Sequence, residues 1–149
     1  MKVAVFNWRD RAHPASGGAE VFTEEVLGRW AAWGHQVTLF SSAVADRADE
    51  EVADGIHHVR RGGRFGVYRA ARQWWDQTGR HQGYDLLVDE VNTRPFGCHR
   101  WTDDVPVVAL MHQLAREVWF FEMPLPAALL GRYVLEPRWI RSLRHVPVL

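Results

Sequence analysis

Residues 13–40 read HPASGGAEVFTEEVLGRWAAWGHQVTLF and hold, in order, two adjacent glycines, an amphipathic run and an apolar run. Between Ala19 and Trp33 the apolar residues recur at helical spacing, which predicts a helix. Gly34 follows at the position where the C-terminus of a helix favours glycine. The next six residues, 35–40, predict a strand, so this stretch encodes a helix followed directly by a strand.

The helix predicted over residues 19–33 has one apolar face, which we expect to pack against a core. Glu20 and Glu24 are predicted to point the other way, toward solvent. The residues on the apolar face are Phe22, Val26, Trp30 and Trp33.

Strand-like and helix-like segments alternate along the rest of the chain. Further strands are predicted at residues 2–6, 56–61, 84–90 and 105–112, with the start of another at 145–149. Further helices are predicted at residues 65–77 and 126–144. Pro137 predicts a kink or a break in the second of these helices. The acidic residues 45–55 indicate a connection that ends in an Asp-Gly turn.

This alternation indicates an α/β fold, Rossmann-like, with a mainly parallel sheet and helices on both faces. In such sheets, ligands bind beyond the carboxyl ends of the strands. Four places meet that description: the loop after Phe6, the pair Ser41 and Ser42, the segment after Asp89, and His112. We therefore expect the functional residues to meet at this edge of the sheet.

Two glycines stand between the first predicted strand and the first predicted helix. Gly17 and Gly18 would let a ligand approach the backbone closely, and the start of a helix attracts anions such as phosphate. The alternative is that the two glycines only form a tight turn, in which Ser16 caps the helix and the charge of Glu20 stabilises its first turn. The chain lacks G-x-G-x-x-G after its first strand and lacks the G-K-[ST] of a P-loop.

Residues 13–40 resemble the opening of glycosyltransferase family 4, the group 1 glycosyltransferases, in which a Gly-Gly loop precedes a helix and a Gly-His-x-Val strand. VDEVNTRPF (88–96) and VALMHQLAREVWFFE (108–122) resemble the next two landmarks of that family. LLGRYVLEPRWIRSLRHVPVL (129–149) resembles the helix and strand beyond them. The landmarks occur in family order over nearly the whole chain, which implies one half of a GT-B fold.

The resemblance implies a role for each matching residue. Gly17 and Gly18 match glycines whose backbone lies against the diphosphate of the donor. His112 matches a catalytic-site histidine near the donor sugar, although a buried histidine with satisfied bonds is the alternative. The residues implied on the acceptor side are His13, Glu90, Asn92 and Glu117. Asn92 could instead serve a turn at the end of a strand, and Glu117 could be a solvated charge.

A GT-B enzyme has two Rossmann-like domains with the active site between them, and in this family the nucleotide-binding half comes second. The resemblance implies that residues 1–149 are the N-terminal, acceptor-side domain, truncated before that nucleotide-binding domain. The whole enzyme would transfer a sugar from a nucleotide diphosphate-sugar to a hydroxyl acceptor with retention of configuration. The fragment alone is expected to be inactive.

Two other classes of protein remain open from the sequence. One is a non-catalytic module that binds a carbohydrate or a nucleotide, and the other is an α/β scaffold. The eight tryptophans would allow sugar stacking. Helical spacing instead favours the core for three of them, Trp30, Trp33 and Trp75.

The composition is globular, with 47% hydrophobic and 24% charged residues. The formal net charge is zero, which argues against electrostatic capture of nucleic acid. Lys2 is the only lysine among 18 basic residues. Arginine is the residue suited to bidentate binding of phosphate or carboxylate, although a GC-rich genome would give the same bias.

We expect neither a metal nor a cofactor, because the histidines lack H-x-x-x-H spacing and Cys98 is the only cysteine. The family likewise implies that protein groups hold the diphosphate. With a single cysteine and no signal peptide at the start, the sequence favours a cytoplasmic protein. A lipid acceptor would bring such an enzyme to a membrane surface as a peripheral protein.

Overall fold

The computed structural model describes residues 1–149 and contains one six-stranded sheet. The strands are β1 (Lys2–Phe6), β2 (Gln36–Ser41), β3 (Glu50–Ala53), β4 (Ile56–Arg60), β5 (Leu86–Val91) and β6 (Val107–Met111). Their order across the sheet is β3-β4-β2-β1-β5-β6. Every neighbouring pair is parallel except β3 with β4. The predicted α/β, mainly parallel, Rossmann-like class is confirmed.

The strand order reverses at the centre of the sheet, where β1 lies between β2 and β5. After β1 the chain continues to β2 on one side of it, and after β5 the chain continues to β6 on the opposite side of the sheet. In open α/β sheets this reversal leaves a crevice beyond the carboxyl ends of the strands. The topology therefore places a cleft beside the loops that follow Phe6 and Val91.

The two faces of β1 pack against different helices because successive side chains of a strand alternate. Val3 and Val5 face α1 (Gly18–Ala32) and form a core with its Leu27. The other face of β1 carries Phe6, which belongs to the core under α2 (Val67–Gln77). Helices thus cover both faces, as the sequence predicts.

The larger core is built around aromatic side chains of α2. Trp74 and Trp75 are almost fully buried there. The Trp74 ring meets Phe6 at 5.9 Å and Phe40 at 5.5 Å between centroids. Trp75 is in the core as predicted, whereas the sequence pattern did not single out Trp74.

The predicted buried face of α1 is wrong at its two ends. Phe22 is 51% exposed and Trp33 is 70% exposed, while Glu20 is only 1% exposed. The residues that α1 buries are Glu20, Thr23 and Leu27. Glu20 accepts hydrogen bonds from Arg9 and from the Gly17 N–H. Thr23 donates to Glu90. This face therefore carries a carboxylate and a hydroxyl that apolar spacing cannot reveal. Trp30 is half-buried against the smaller core.

The connection predicted over residues 45–55 contains the edge strand β3, which the sequence pattern missed. Its residues, EEVA, are mostly exposed and so show no buried alternation. The Asp-Gly turn is confirmed: Asp54 and Gly55 have φ of 50° and 78° and join β3 to β4 in an antiparallel hairpin.

The C-terminal region is helical, as predicted, but it is divided into segments. They are α3 (Val118–Glu122), α4 (Leu125–Leu130), a π-helical turn (Gly131–Leu135) and α5 (Glu136–Ser142). The wide turn ends at Leu135, and α5 begins with Glu136 and Pro137. Because Pro137 cannot donate a helical hydrogen bond, the regular helix is interrupted in front of it, and the predicted interruption is confirmed. None of the helices combines the length and the apolar character that crossing a bilayer requires.

The last residues continue the sheet beyond β6. The Ala109 N–H donates to the Pro147 carbonyl at 2.8 Å, and the Leu149 N–H donates to the Ala109 carbonyl at 2.9 Å. Val148 forms a parallel bridge with Ala109. This agrees with the strand start predicted over residues 145–149.

A buried ion pair ties the loop after β1 to the end of β4. Arg60 donates from Nε to Asp10, and both side chains are almost fully buried. A second carboxylate, Glu51, lies 2.7 Å from Arg60 Nη1. Burial opposes ionisation of Asp10, but the neighbouring His58 and Arg60 outweigh it and lower the pKa of Asp10 below 3.8. The charged pair therefore fixes the loop that leads to Gly17.

We expect Asp10→Asn to reduce the free energy of unfolding by about 3 kcal/mol, because it leaves the Arg60 charge buried without its main partner. A group with a lowered pKa contributes stability above its ordinary pKa, and that contribution is lost as the pH falls through the folded value. The difference in unfolding free energy between wild type and variant should therefore be largest at neutral pH and decrease below about pH 3.8.

Urea unfolding at several pH values measures this difference. The matched control is Asp76→Asn, which removes an exposed pair with Arg72 on α2. That change should cost less than about 0.5 kcal/mol. Equal effects of the two substitutions would contradict the anchoring role of Asp10.

Candidate functional site

A cleft of about 720 Å³ opens at the carboxyl edge of the sheet, at the strand-order reversal. Five of the seven residues predicted for the site line it: His13, Gly17, Gly18, Asn92 and His112. They come from the loop after β1, the start of α1, and the ends of β5 and β6. The parallel topology thus brings together residues that are up to 99 positions apart in the sequence (112 − 13).

Glu90 lies behind the wall of the cleft and does not line it. Its carboxylate is almost fully buried and lies 3.2 Å from His112 Nε2. The Thr23 hydroxyl of α1 lies 2.8 Å from Glu90 Oε2 and 2.9 Å from the carbonyl of Ala19. A single carboxylate therefore joins β5, β6 and α1.

The contact with Glu90 determines how His112 presents its ring. A carboxylate oxygen accepts hydrogen bonds, so Nε2 of His112 carries the proton that points at Glu90. No group of the chain bonds Nδ1. Phe22 packs against the ring edge-on, with centroids 5.9 Å apart and an interplanar angle of 81°. His112 is thus held in one orientation at the cleft.

Glu117 is the one predicted residue that the structure places apart from the others. It is exposed at the start of α3, and it neither lines the cleft nor bonds another predicted site residue. The adjacent Val118 and Glu122 of α3 do line the cleft. A contact between Glu117 and an acceptor stays a prediction.

Gly17 and Gly18 form the start of α1, but neither makes a tight turn. Gly17 is the N-cap with φ of −139°, and neither glycine is in the left-handed region. The Gly17 N–H already donates to Glu20 Oε2 at 2.6 Å. The N–H groups of Gly18 and Ala19, which also line the cleft, have no acceptor in the chain.

Ser16, the cap in the alternative interpretation, does not cap the helix; Gly17 is the N-cap, and Glu20 of the first turn bonds its N–H. The Glu20 carboxylate also lies 3.3 Å from Arg9 Nη2. The Arg9 guanidinium stacks over the Trp8 ring at 4.1 Å from its centroid. The loop after β1 therefore presents a paired cation and an indole to the cleft.

The cleft edge also contains buried polar atoms that no protein group satisfies. They are Asn7 Nδ2, Trp8 Nε1, Ser41 Oγ and Ser42 Oγ. Trp8, Arg9 and Ser42 line the cleft; the sequence placed Ser42 at this edge of the sheet, but it singled out neither Trp8 nor Arg9. The positions of Trp8 and Arg9 in the sequence, just after β1, are the feature that could have identified them as residues of the site. Unpaired buried donors are costly unless a water or a ligand pairs with them.

Asp89 and Glu90 are neighbours that serve opposite faces of the sheet. Asp89 is buried and accepts hydrogen bonds from the N–H groups of Phe96, Gly97 and Cys98 at 2.7–3.0 Å. Burial raises the pKa of Asp89, and those N–H groups oppose the rise. Asp89 therefore folds the loop that carries Asn92, whose Nδ2 donates to Asn7 at 2.9 Å.

One group of side chains has ligand atoms close enough to hold a metal ion: Asp10, Glu24 and His58, all within 4.8 Å of one another. Asp10 already accepts from the Arg60 guanidinium, and Glu24 accepts from the Arg11 N–H at 2.7 Å. A guanidinium beside the carboxylate would repel a cation. The group fits an anchor for the loop better than a metal site.

The sequence model of Glycosyltransferase Family 4 matches residues 16–147. No curated protein matches the sequence. Among solved structures, the fold is similar to sucrose-phosphate synthase from Thermosynechococcus elongatus, with a TM-score of 0.64 and 14% identity. The match covers 100% of this chain and 47% of that one, so the chain spans about half the length of this structural relative.

The family match covers the Gly-Gly loop, the strand ends at Glu90 and His112, and the helices beyond them. The match confirms the resemblance, inferred from the sequence landmarks, to the N-terminal domain of a GT-B protein. The observed fold agrees with this resemblance. The chain belongs to Glycosyltransferase Family 4.

Proposed function

We propose that this chain is the acceptor-side half of a retaining glycosyltransferase of hexosyltransferase type. The whole enzyme would move a sugar from a nucleotide diphosphate-sugar to a hydroxyl acceptor in the cytoplasm. Family membership and the cleft at the carboxyl edge of the sheet support this proposal. Because a nucleotide-binding half is needed to complete the site, the chain of 149 residues alone would not turn over.

The observation that carries the proposal is the open space above Gly18. A Cβ built on Gly18 would meet no atom within 4 Å, and the residue does not need a positive φ. Neither backbone conformation nor packing requires a glycine there; the same holds for Gly28, but Gly18 lines the cleft and Gly28 does not. A ligand that lies against the helix start would explain it, because any side chain would stand in its way.

In the proposed reaction, the donor diphosphate lies against the start of α1. Negative charge develops on the leaving phosphate as the glycosidic bond breaks. The unpaired N–H groups of Gly18 and Ala19 would stabilise that charge, together with cations of the other half. Gly17 would contribute through its lack of a side chain, because its own N–H is bonded to Glu20.

His112 would contact the donor sugar through the free Nδ1 edge of its ring. Glu90 would act as a positioning residue, since it holds Nε2 and is itself fixed by Thr23. On the acceptor side, His13 and Asn92 line the cleft and would bind hydroxyls. Glu117 lies outside the cleft at the start of α3 and would meet only an acceptor that extends beyond it. Closure of the two halves would exclude water and limit donor hydrolysis.

We expect Gly18→Val to reduce transfer by the complete two-domain protein by at least about a hundredfold, since the branched side chain would occupy the space of the diphosphate. Steady-state transfer rates and circular dichroism melts measure activity and fold. The matched control is Gly28→Val in the same helix, where a Cβ also meets nothing within 4 Å and the residue does not line the cleft.

Both variants should keep the wild-type melting temperature within a few degrees, and only Gly18→Val should lose turnover. Normal turnover by folded Gly18→Val would contradict the proposed diphosphate position. A large loss of stability with normal activity in the remaining folded protein would indicate that Gly18 matters only to the helix.

We expect His112→Ala to reduce turnover by roughly a hundredfold, or about 3 kcal/mol, because one transition-state contact is lost. The control is His81→Ala, which truncates an exposed histidine that does not line the cleft. Rates measured across donor concentrations separate a change in kcat from one in KM. An unchanged kcat in His112→Ala would refute the proposed contact with the reacting sugar.

A further inference from the structure

A second depression, of about 420 Å³, lies away from the cleft and shares none of its lining residues. It lies between the short 3₁₀ turn Cys98–Arg100 and the C-terminal part of α5. Its basic lining residues are His99, Arg100, Arg138, Arg141, Arg144 and His145. We call this surface the basic depression.

The four arginines of the basic depression have no acidic partner. None of them has a carboxylate oxygen within 4.0 Å, and no acidic residue lines the depression. In a chain with a formal net charge of zero, four like charges from two segments gather without compensation. Like charges held together in this way repel one another unless an anion joins them.

The helix dipole explains only part of this arrangement. Arg141 and Arg144 lie at the end of α5, where cations are favourable. Arg100 belongs to a different segment, so the dipole of α5 does not account for its position or for that of His99. The convergence of two segments on one depression is therefore the feature that needs a ligand.

His99 gives a second, independent indication. Its Nδ1 is buried and has no hydrogen-bond partner in the chain. Burial and the neighbouring Arg100 lower the pKa of His99, while Asp89 opposes this. One ring nitrogen of His99 is therefore left unpaired beside positive charge.

The chemistry of the lining selects the kind of ligand. Guanidinium groups bind the oxygens of phosphate bidentately, and four of them suit a group that carries several negative charges. No tryptophan, tyrosine or phenylalanine lines the depression, so it lacks the large rings on which bases most often stack. These features favour a phosphate group over a nucleotide or a nucleic acid.

We propose that the basic depression is a binding site for a multiply charged phosphate group, separate from the proposed transfer site. The phosphate can belong to a soluble phosphorylated molecule or to the headgroup of an anionic lipid. Both sources share the same contacts with Arg100, Arg138, Arg141 and Arg144.

Inorganic pyrophosphate and lipid vesicles are the two probes, applied to the full protein. Calorimetric titration measures pyrophosphate binding, and co-sedimentation compares phosphatidic acid vesicles with phosphatidylcholine vesicles. The test variant is Arg141→Gln with Arg144→Gln, and Arg138→Gln is a second, single variant. The matched control is Arg69→Gln with Arg80→Gln, two exposed arginines that lie outside the depression.

We expect the test variants to bind pyrophosphate about tenfold more weakly or worse, because hydrogen bonds from charged groups are lost. The control pair should bind as the wild type does, and the binding that Gly18→Val retains should be lost when Arg141 and Arg144 are also replaced, which separates this site from the cleft. A lipid headgroup would be identified as the source by two results together. The wild type would bind phosphatidic acid vesicles but pyrophosphate only weakly, and the test variant would lose the binding to the vesicles.

Three results would overturn the proposal: neither probe binds, both double variants weaken binding equally, or Gly18→Val abolishes it. The last result would place the pyrophosphate in the cleft and leave the proposed transfer function standing. Melting curves verify that each variant is folded, and all the substituted arginines are exposed.

Discussion

The buried carboxylate of Glu90 is the interaction on which the candidate site depends. It lies where β5, β6 and α1 meet, and its contacts with Thr23 and His112 join those three elements. A buried carboxylate is costly unless it is hydrogen-bonded, so its partners must stay in place. The orientation of His112 at the cleft and the position of the start of α1 are therefore linked through one side chain.

Two further buried carboxylates complete this edge of the sheet. Glu20 holds the N–H of Gly17 and pairs with Arg9, and Asp89 gathers three backbone N–H groups of the loop that carries Asn92. Each satisfies backbone or cationic donors that would otherwise face an apolar interior. Acidic side chains thus fix the backbone that forms the wall of the cleft by accepting its hydrogen bonds. The open side of the cleft presents N–H donors that have no partner in the chain.

The sequence predicts the parts of this protein in which local periodicity and tertiary burial agree. The apolar runs of β1 and β2 and the helical spacing of α1 were sufficient to locate these elements, and the alternation gave the parallel sheet. The edge strand β3 was missed because its exposed residues, EEVA, have no buried alternation. The face of α1 was misassigned because Glu20 is buried through specific polar partners, which no hydrophobic scale records.

The candidate site was predictable to a similar extent. Strand ends and family landmarks identified five of the residues that line the cleft, because topology alone brings strand ends together. They could not show that Glu90 lies behind His112, since that depends on the direction of side chains across the sheet. Trp8 and Arg9 were missed as individual residues, although the loop that carries them was expected at this edge, whereas Ser42 was expected there by name.

The tautomer of His112 tests most directly whether Glu90 sets the orientation of this ring. Long-range ¹H–¹⁵N NMR at about pH 9, where imidazole rings are neutral, measures it. The resonance is assigned by its absence in His112→Ala. The account predicts a proton on Nε2, donated to Glu90, and a free Nδ1 that faces the cleft. A ring protonated on Nδ1, or an equal mixture of the two forms, would contradict the claim that Glu90 sets the orientation of His112.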